Sequence, residues 1–210
     1  MVKPGDPRQP RVELRRSNLS PDPVEQFRAW FEEAAKYNAM PDAVALATVD
    51  AAGRPDVRMV LLKGAGPDGF RFFTNYEGIK AGQLTANPAA ALAFNWPELS
   101  RQVRIRGDVE RLDEGESDAY FASRDRASQI GAWASPQSRV LADRDELERL
   151  TDEVAGKYPE GEEIPRPPGW GGFLLRPDQF EFWQGRPARL HDRFRYSAEA
   201  DGWRIERLAP

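Results

Sequence analysis

The chain has no cysteine and a single histidine, His191. The first absence excludes disulfides, thiolate zinc sites and cysteine nucleophiles. The second excludes a multi-histidine metal site within one subunit, and no resident metal is expected. Long apolar runs are missing too: none approaches the roughly 20 residues of a membrane-spanning helix. The opening MVKPGDPRQP has no apolar core and does not read as a secretory signal. A soluble, cytoplasmic protein is therefore expected. Positive charge is not in excess either. The formal net charge is -4, so no global basic field gathers nucleic acid or anionic lipid, and any anion site must be local. Phosphate-loop and dinucleotide glycine fingerprints are absent as well. GAGPDG (64–69) carries glycines but joins two strand-like runs and does not open a helix.

What is present suits one domain with its own core: 210 residues, 40% of them hydrophobic. Residues 1–19, rich in Pro, Arg and Ser, are expected as a flexible N-terminal arm, and residues 20–210 as a single domain. SPDPVEQFRAWFEEAAKYNA (20–39) has its apolar residues on one helical side, with Ser20 or Asp22 as cap and Pro23 in the first turn. Strands are expected over 43–49, 57–63 and 70–75, joined by turns of hairpin length, so the pairing should be antiparallel. A short helix, GIKAGQLTAN, precedes further strands over 89–96 and 101–112. Residues 113–157 read as three helical pieces. Four strands follow: GFLLRP, QFEFWQG, DRFRYS and WRIERLAP. The strands fall mainly at the start and end, with helices inserted between. That order predicts an α+β fold, a closed or nearly closed antiparallel barrel with helices packed outside.

Several cations stand out. Arg58 lies in an apolar run, where a surface contact or a bound anion would satisfy it. Lys80 sits early in the short helix. The segment 120–138 is rich in neutral donors and cations: Tyr120, Arg124, Ser128, Gln137 and Ser138 among them. In WQGRPARLHDRFRY (183–196), strand alternation would put Arg189, His191 and Arg193 on one face. That arrangement is repulsive without an anion, and it favours a neutral histidine.

These pieces in order, RMVLLK, FFTN, RQVRIRG, YFASR, SQIGAW, WGGF, FWQG, RLHDR and the terminal ERLAP, closely resemble the pyridoxine/pyridoxamine 5′-phosphate oxidase family from about residue 19 to 210. The resemblance implies a split β-barrel homodimer with two FMN molecules at the subunit interface. It implies oxidation of pyridoxamine or pyridoxine 5′-phosphate to pyridoxal 5′-phosphate, with dioxygen as acceptor. By the same resemblance, Arg58, Met59, Val60, Leu61, Leu62, Lys63, Phe73, Thr74, Lys80 and Gln102 contact FMN. Gln137, Ser138, Trp183 and Arg193 would do so from the partner subunit. Lys63, Tyr120, Arg124 and Ser128 would hold the substrate phosphate. Arg189 and His191 would lie over the pyridine ring, Arg189 assisting chemistry at C4′ and His191 positioning the substrate. A deazaflavin reductase of the same fold would lack Tyr120, Arg124, Ser128, Arg189 and His191. A non-catalytic binder of FMN or pyridoxal phosphate would share the anion residues. Two departures mark this chain. Gly78-Ile79-Lys80 stands where the family has Ser-Arg-Lys, so Ile79 removes a phosphate cation and weaker FMN retention is expected. Phe73 replaces a frequent tyrosine.

Overall fold

The computed structural model describes residues 13–210. Five helices and nine strands are present among them: α1 (Pro23–Ala34), β1 (Ala43–Val49), β2 (Pro55–Leu61), β3 (Gly64–Gly66), β4 (Gly69–Asn75), α2 (Ile79–Ala86), β5 (Ala89–Trp96), β6 (Arg101–Arg111), α3 (Glu114–Ala122), α4 (Arg126–Ala134), α5 (Arg144–Lys157), β7 (Trp170–Gln184), β8 (Asp192–Glu199) and β9 (Gly202–Leu208). Most elements fall where hydrophobic periodicity and turn residues put them. The expected cap of α1 does as well. Asp22 accepts from the Val24 amide at the start of α1, with Pro23 at the first position. Asp113, Asp125 and Asp143 cap α3, α4 and α5 in the same way.

All strands join one antiparallel sheet in the order β2-β1-β5-β6-β7-β4-β3, with β8 and β9 branching from β7. The branch explains why GFLLRP and QFEFWQG, expected as two strands, form one. The first part of β7 pairs with β4 through Leu175, and its second part pairs with β8 from Gln179. Between them lies Pro177, which has no amide to donate. β6 stays paired along the other edge by a register shift between Arg106 and Gly107. Gly107 is required there, because a Cβ would stand 1.9 Å from the Arg176 carbonyl oxygen. Gly64–Gly66, expected as a bare turn, pairs with Gly69–Arg71 as the small strand β3.

The inner face of the curled sheet carries the core. Phe70, Phe72, Phe94, Ile105, Phe180, Phe182 and Tyr196 are all buried. Helix α1 seals it with Phe27, which meets Phe70 and Phe94 at 5.0 Å between ring centroids. The N-terminal segment is partly integrated. Residues 1–12 of the expected arm lie outside the described residues, but Leu14 and Leu19 are buried in the core. The Leu14 amide donates to Asp192 and its carbonyl accepts from Arg207. Two apolar side chains and a pinned backbone account for the difference from an arm reaching to residue 19.

Candidate functional site

The candidate residues assemble into three groups. The first surrounds β2 and α2. Strand alternation turns Arg58 and Val60 one way and Val57, Met59 and Leu61 the other, where the last three are exposed. Leu62 is buried in the core. Not all side chains of the RMVLLK run can therefore line one ligand. The Arg58 Nη1 donates to the Leu46 carbonyl at 3.2 Å and the Thr48 hydroxyl at 2.5 Å. Its Nη2 donates to Asp56 at 2.6 Å and to the Gln83 amide oxygen at 2.8 Å. Lys80 and Gln83, three residues apart, share a face of α2. The Lys80 Nζ has neutral acceptors, Thr74 Oγ1 at 3.0 Å and Gln137 Oε1 at 2.7 Å. Burial, and then the Arg58 charge, pull the Lys80 ammonium below its ordinary range. Gln137 and Ser138 were expected from a partner subunit. They belong to this group within one protomer: Gln137 accepts from Thr74 and Lys80, and the Ser138 hydroxyl accepts from the Ile79 amide at 3.4 Å. The turn after α4, with Ser138 at φ 70°, returns the chain to the start of α2. Lys63 stands apart from this group, paired with Asp42 at 2.9 Å and lining a 520 Å³ recess beside Phe27 and Phe31.

The second group is aromatic. Phe73 stacks on Tyr120 at 3.9 Å and 22°, and lies 5.5 Å from Trp170 at 13°. Its side chain thus faces α3, while Thr74, the next residue, faces Lys80. The Arg124 guanidinium sits 4.8 Å from the Trp170 ring. Its Nη1 is buried with no hydrogen-bond partner. Burial pulls this guanidinium below the usual arginine range. An orphaned charged donor is costly unless a ligand completes it. Ser128 gives both its hydroxyl and its amide to Asp125, lowering that carboxyl.

The third group spans three strands. Gln102 is in register with Trp183, and Trp183 with Arg193. Arg193 Nε donates to Glu181 at 2.9 Å, and Arg104 grips the other Glu181 oxygen. Burial alone would raise Glu181, but the two arginines outweigh it and its carboxyl is lowered. Glu181 raises Arg193 in turn.

Arg189 and His191 do not share a strand face with Arg193, as alternation predicted. β8 begins at Asp192, and Pro187–Arg189 form a tight 3₁₀ turn with Ala188 and Arg189 at φ 56° and 61°. Pro187 supplies no donor, so the ladder cannot extend through it. Arg189 is exposed. His191 lies against the Trp183 ring at 4.5 Å between centroids, and its Nδ1 accepts the Arg186 amide at 3.1 Å. In the neutral ring this leaves Nε2 to carry the hydrogen and donate outward. Sequence reasoning passed over Thr48, Asp56, Gln83, Trp170 and Glu181. Only Gln83 carried a local signal, its helical spacing from Lys80.

Comparison with known proteins bears on all three groups. A family profile described as pyridoxamine 5′-phosphate oxidase matches residues 26–158. A second, described as the pyridoxine 5′-phosphate oxidase C-terminal dimerisation region, matches residues 170–210. A pyridoxine/pyridoxamine 5′-phosphate oxidase of Salinibacter ruber is 54% identical, covering 95% of this chain and 94% of its own. One of Cupriavidus metallidurans is 53% identical, over 94% and 93%. The crystal structure of PhzG from Burkholderia lata, in complex with tetrahydrophenazine-1-carboxylic acid, superposes with a TM-score of 0.88 at 29% identity, covering 95% of this chain and 98% of its own. The sheet is thus the split barrel of these relatives, and the chain belongs to the pyridoxamine 5′-phosphate oxidase family.

Proposed function

We propose that the chain is an FMN-dependent oxidase that converts pyridoxamine and pyridoxine 5′-phosphates to pyridoxal 5′-phosphate. Dioxygen is the acceptor and hydrogen peroxide the by-product, with ammonia released from the amine. The observation that carries this reading is the existence of two separate cation groups, Arg58 with Lys80 and, elsewhere, Arg124 with its orphaned Nη1. The cofactor and the substrate each bring one phosphate, so two anion sites are needed. FMN fits the first group: a desolvated lysine held only by neutral acceptors beside an arginine lacks a full counter-charge, and a phosphate supplies it.

When bound, FMN supplies the redox chemistry. The chain binds and orients. Arg58, Thr74, Lys80, Gln137 and Ser138 hold the cofactor phosphate end, Gln102 contacts the ring, and Trp183 and Arg193 meet it from the other subunit of a homodimer. Arg124 and Tyr120 hold the substrate phosphate. Arg189 orients the pyridine and steadies charge at C4′. His191, fixed by the Arg186 amide and Trp183, presents Nε2 to the substrate. The C-terminal match to a dimerisation region supports the homodimer.

The test is to add FMN and pyridoxamine 5′-phosphate and follow pyridoxal 5′-phosphate and peroxide. Absence of turnover with FMN bound would overturn the enzyme reading and leave a binding protein. Tetrahydrophenazine-1-carboxylic acid, the ligand of the Burkholderia relative, serves as the competing substrate. Arg189→Ala is expected to cut turnover far more than FMN affinity. His191→Asn is expected to weaken substrate handling and leave fold and flavin in place.

A further inference from the structure

We propose that Asp56 competes with the cofactor phosphate for Arg58, making it a built-in determinant of how readily the cofactor is exchanged. This rests on the FMN reading above and goes beyond it. A guanidinium has five N–H groups. Four of those on Arg58 point at acceptors of its own chain: the Leu46 carbonyl, Thr48, Asp56 and Gln83. Only Nε is left. A two-point grip on a phosphate therefore requires at least one of these bonds to break.

Asp56 is the only charged member of the four. Its Oδ2 takes both the Arg58 Nη2 at 2.6 Å and the Gln83 Nε2 at 3.2 Å, while Oδ1 takes the Val57 amide at 2.8 Å. The hydrogen bond from Gln83, and then the Arg58 charge, hold its carboxyl below the usual range, so it is an anion at neutral pH. The Gln83 amide oxygen is doubly engaged as well, since it also accepts from the Thr48 hydroxyl at 2.6 Å. The closed set Thr48–Gln83–Asp56–Arg58 is complete without a ligand. Lys80, by contrast, has only neutral partners. An arriving phosphate thus finds Lys80 ready and Arg58 already occupied. Ile79 offers no third cation. The Asp56 side chain is 47% exposed, so it can swing to water when displaced.

The experiment titrates the full chain, stripped of flavin, with FMN and with riboflavin, which has no phosphate, following flavin fluorescence. Asp56→Asn keeps the Val57 contact and removes the charge. It is expected to tighten FMN by roughly two- to fivefold, the scale of a half-exposed ion pair, and to leave riboflavin unchanged. Asp56→Ser, a second neutral variant, is expected to shift FMN the same way. Weaker or unchanged FMN binding in both variants would overturn the proposal, as would riboflavin tightening equally. If the parent chain binds no FMN, the flavin reading itself fails. If it binds FMN and the variants do not differ from it, only the role of Asp56 falls.

Discussion

At the scale of single residues, charge placed without a full counter-charge is the informative feature. Lys80 is desolvated and lies in the field of Arg58, so its ammonium is held below the ordinary lysine value of 10.5. The sign follows from linkage. A phosphate prefers the protonated lysine, and Lys80 loses its proton at a lower pH than a free lysine does. FMN affinity is therefore expected to fall as pH rises through the alkaline range, beginning below 10.5, whereas riboflavin affinity should not show that fall. Without ligand, the unfolded chain holds the Lys80 proton to higher pH, so this residue adds stability as pH rises through the same range. The denaturation midpoint of the parent should therefore rise relative to that of Lys80→Met as pH increases through that range, and a fall would overturn the sign. Arg124 gives a second expectation. Arg124→Ala removes a charge-assisted contact worth about 1.5–3 kcal/mol. It should lower kcat/KM for the phosphorylated substrate by roughly one to two decades while leaving FMN titrations unaltered. Ile79 is expected to act on the cofactor by the same physics: Ile79→Arg should tighten FMN, and dialysis of the two forms side by side measures it. Arg124 stood out in the sequence among neighbouring donors and cations, whereas Lys80 and Ile79 gained meaning only against the pattern of the family the chain resembles. The geometry of Arg189 and His191 was not legible there. Alternation was applied from Arg189 to Arg193, but the turn that puts Ala188 and Arg189 at positive φ precedes the strand, which begins only at Asp192.

At the scale of elements, β7 and β8 organise the molecule. β7 changes partner from β4 to β8 at Pro177, and Gly107 on β6 lets the backbones approach there. Gly107→Ala puts a methyl group into the Arg176 carbonyl. The cost is expected to be at least the 1–3 kcal/mol of an overpacked core, read as a lower urea midpoint with the far-ultraviolet spectrum unchanged. β8 anchors the segment that enters α1. The buried Tyr196 hydroxyl donates to the Ser20 carbonyl at 2.8 Å, and burial pushes the phenol up to about 12. Tyr196→Phe leaves that carbonyl unpaired and is expected to cost about 1–3 kcal/mol. Element positions were largely readable, because periodicity and caps are local. The fusion of two expected strands into β7 was not, because it depends on a register shift in a neighbouring strand.

At the scale of the whole molecule, the exposed Val57, Met59 and Leu61 lie on β2, at one end of the sheet order. An uncovered apolar edge of this kind invites association. In the proposed homodimer, Met59→Lys is expected to shift sedimentation toward the monomer and to weaken FMN at the same time. A dimer that withstands the change, or loses FMN without dissociating, would place the interface elsewhere. The excluded chemistries, the antiparallel α+β architecture, the order of the family's motifs and the two sets of cations can all be read from the chain before it folds. Each of these is written in residue type and spacing along the chain. Which groups meet is set by folding: Asp56, Thr48 and Gln83 close on Arg58, Gln137 returns to Lys80 in its own protomer, Glu181 lies between two arginines, and His191 turns toward Trp183. These contacts join residues brought together by sheet register and turn geometry, and no local pattern encodes them.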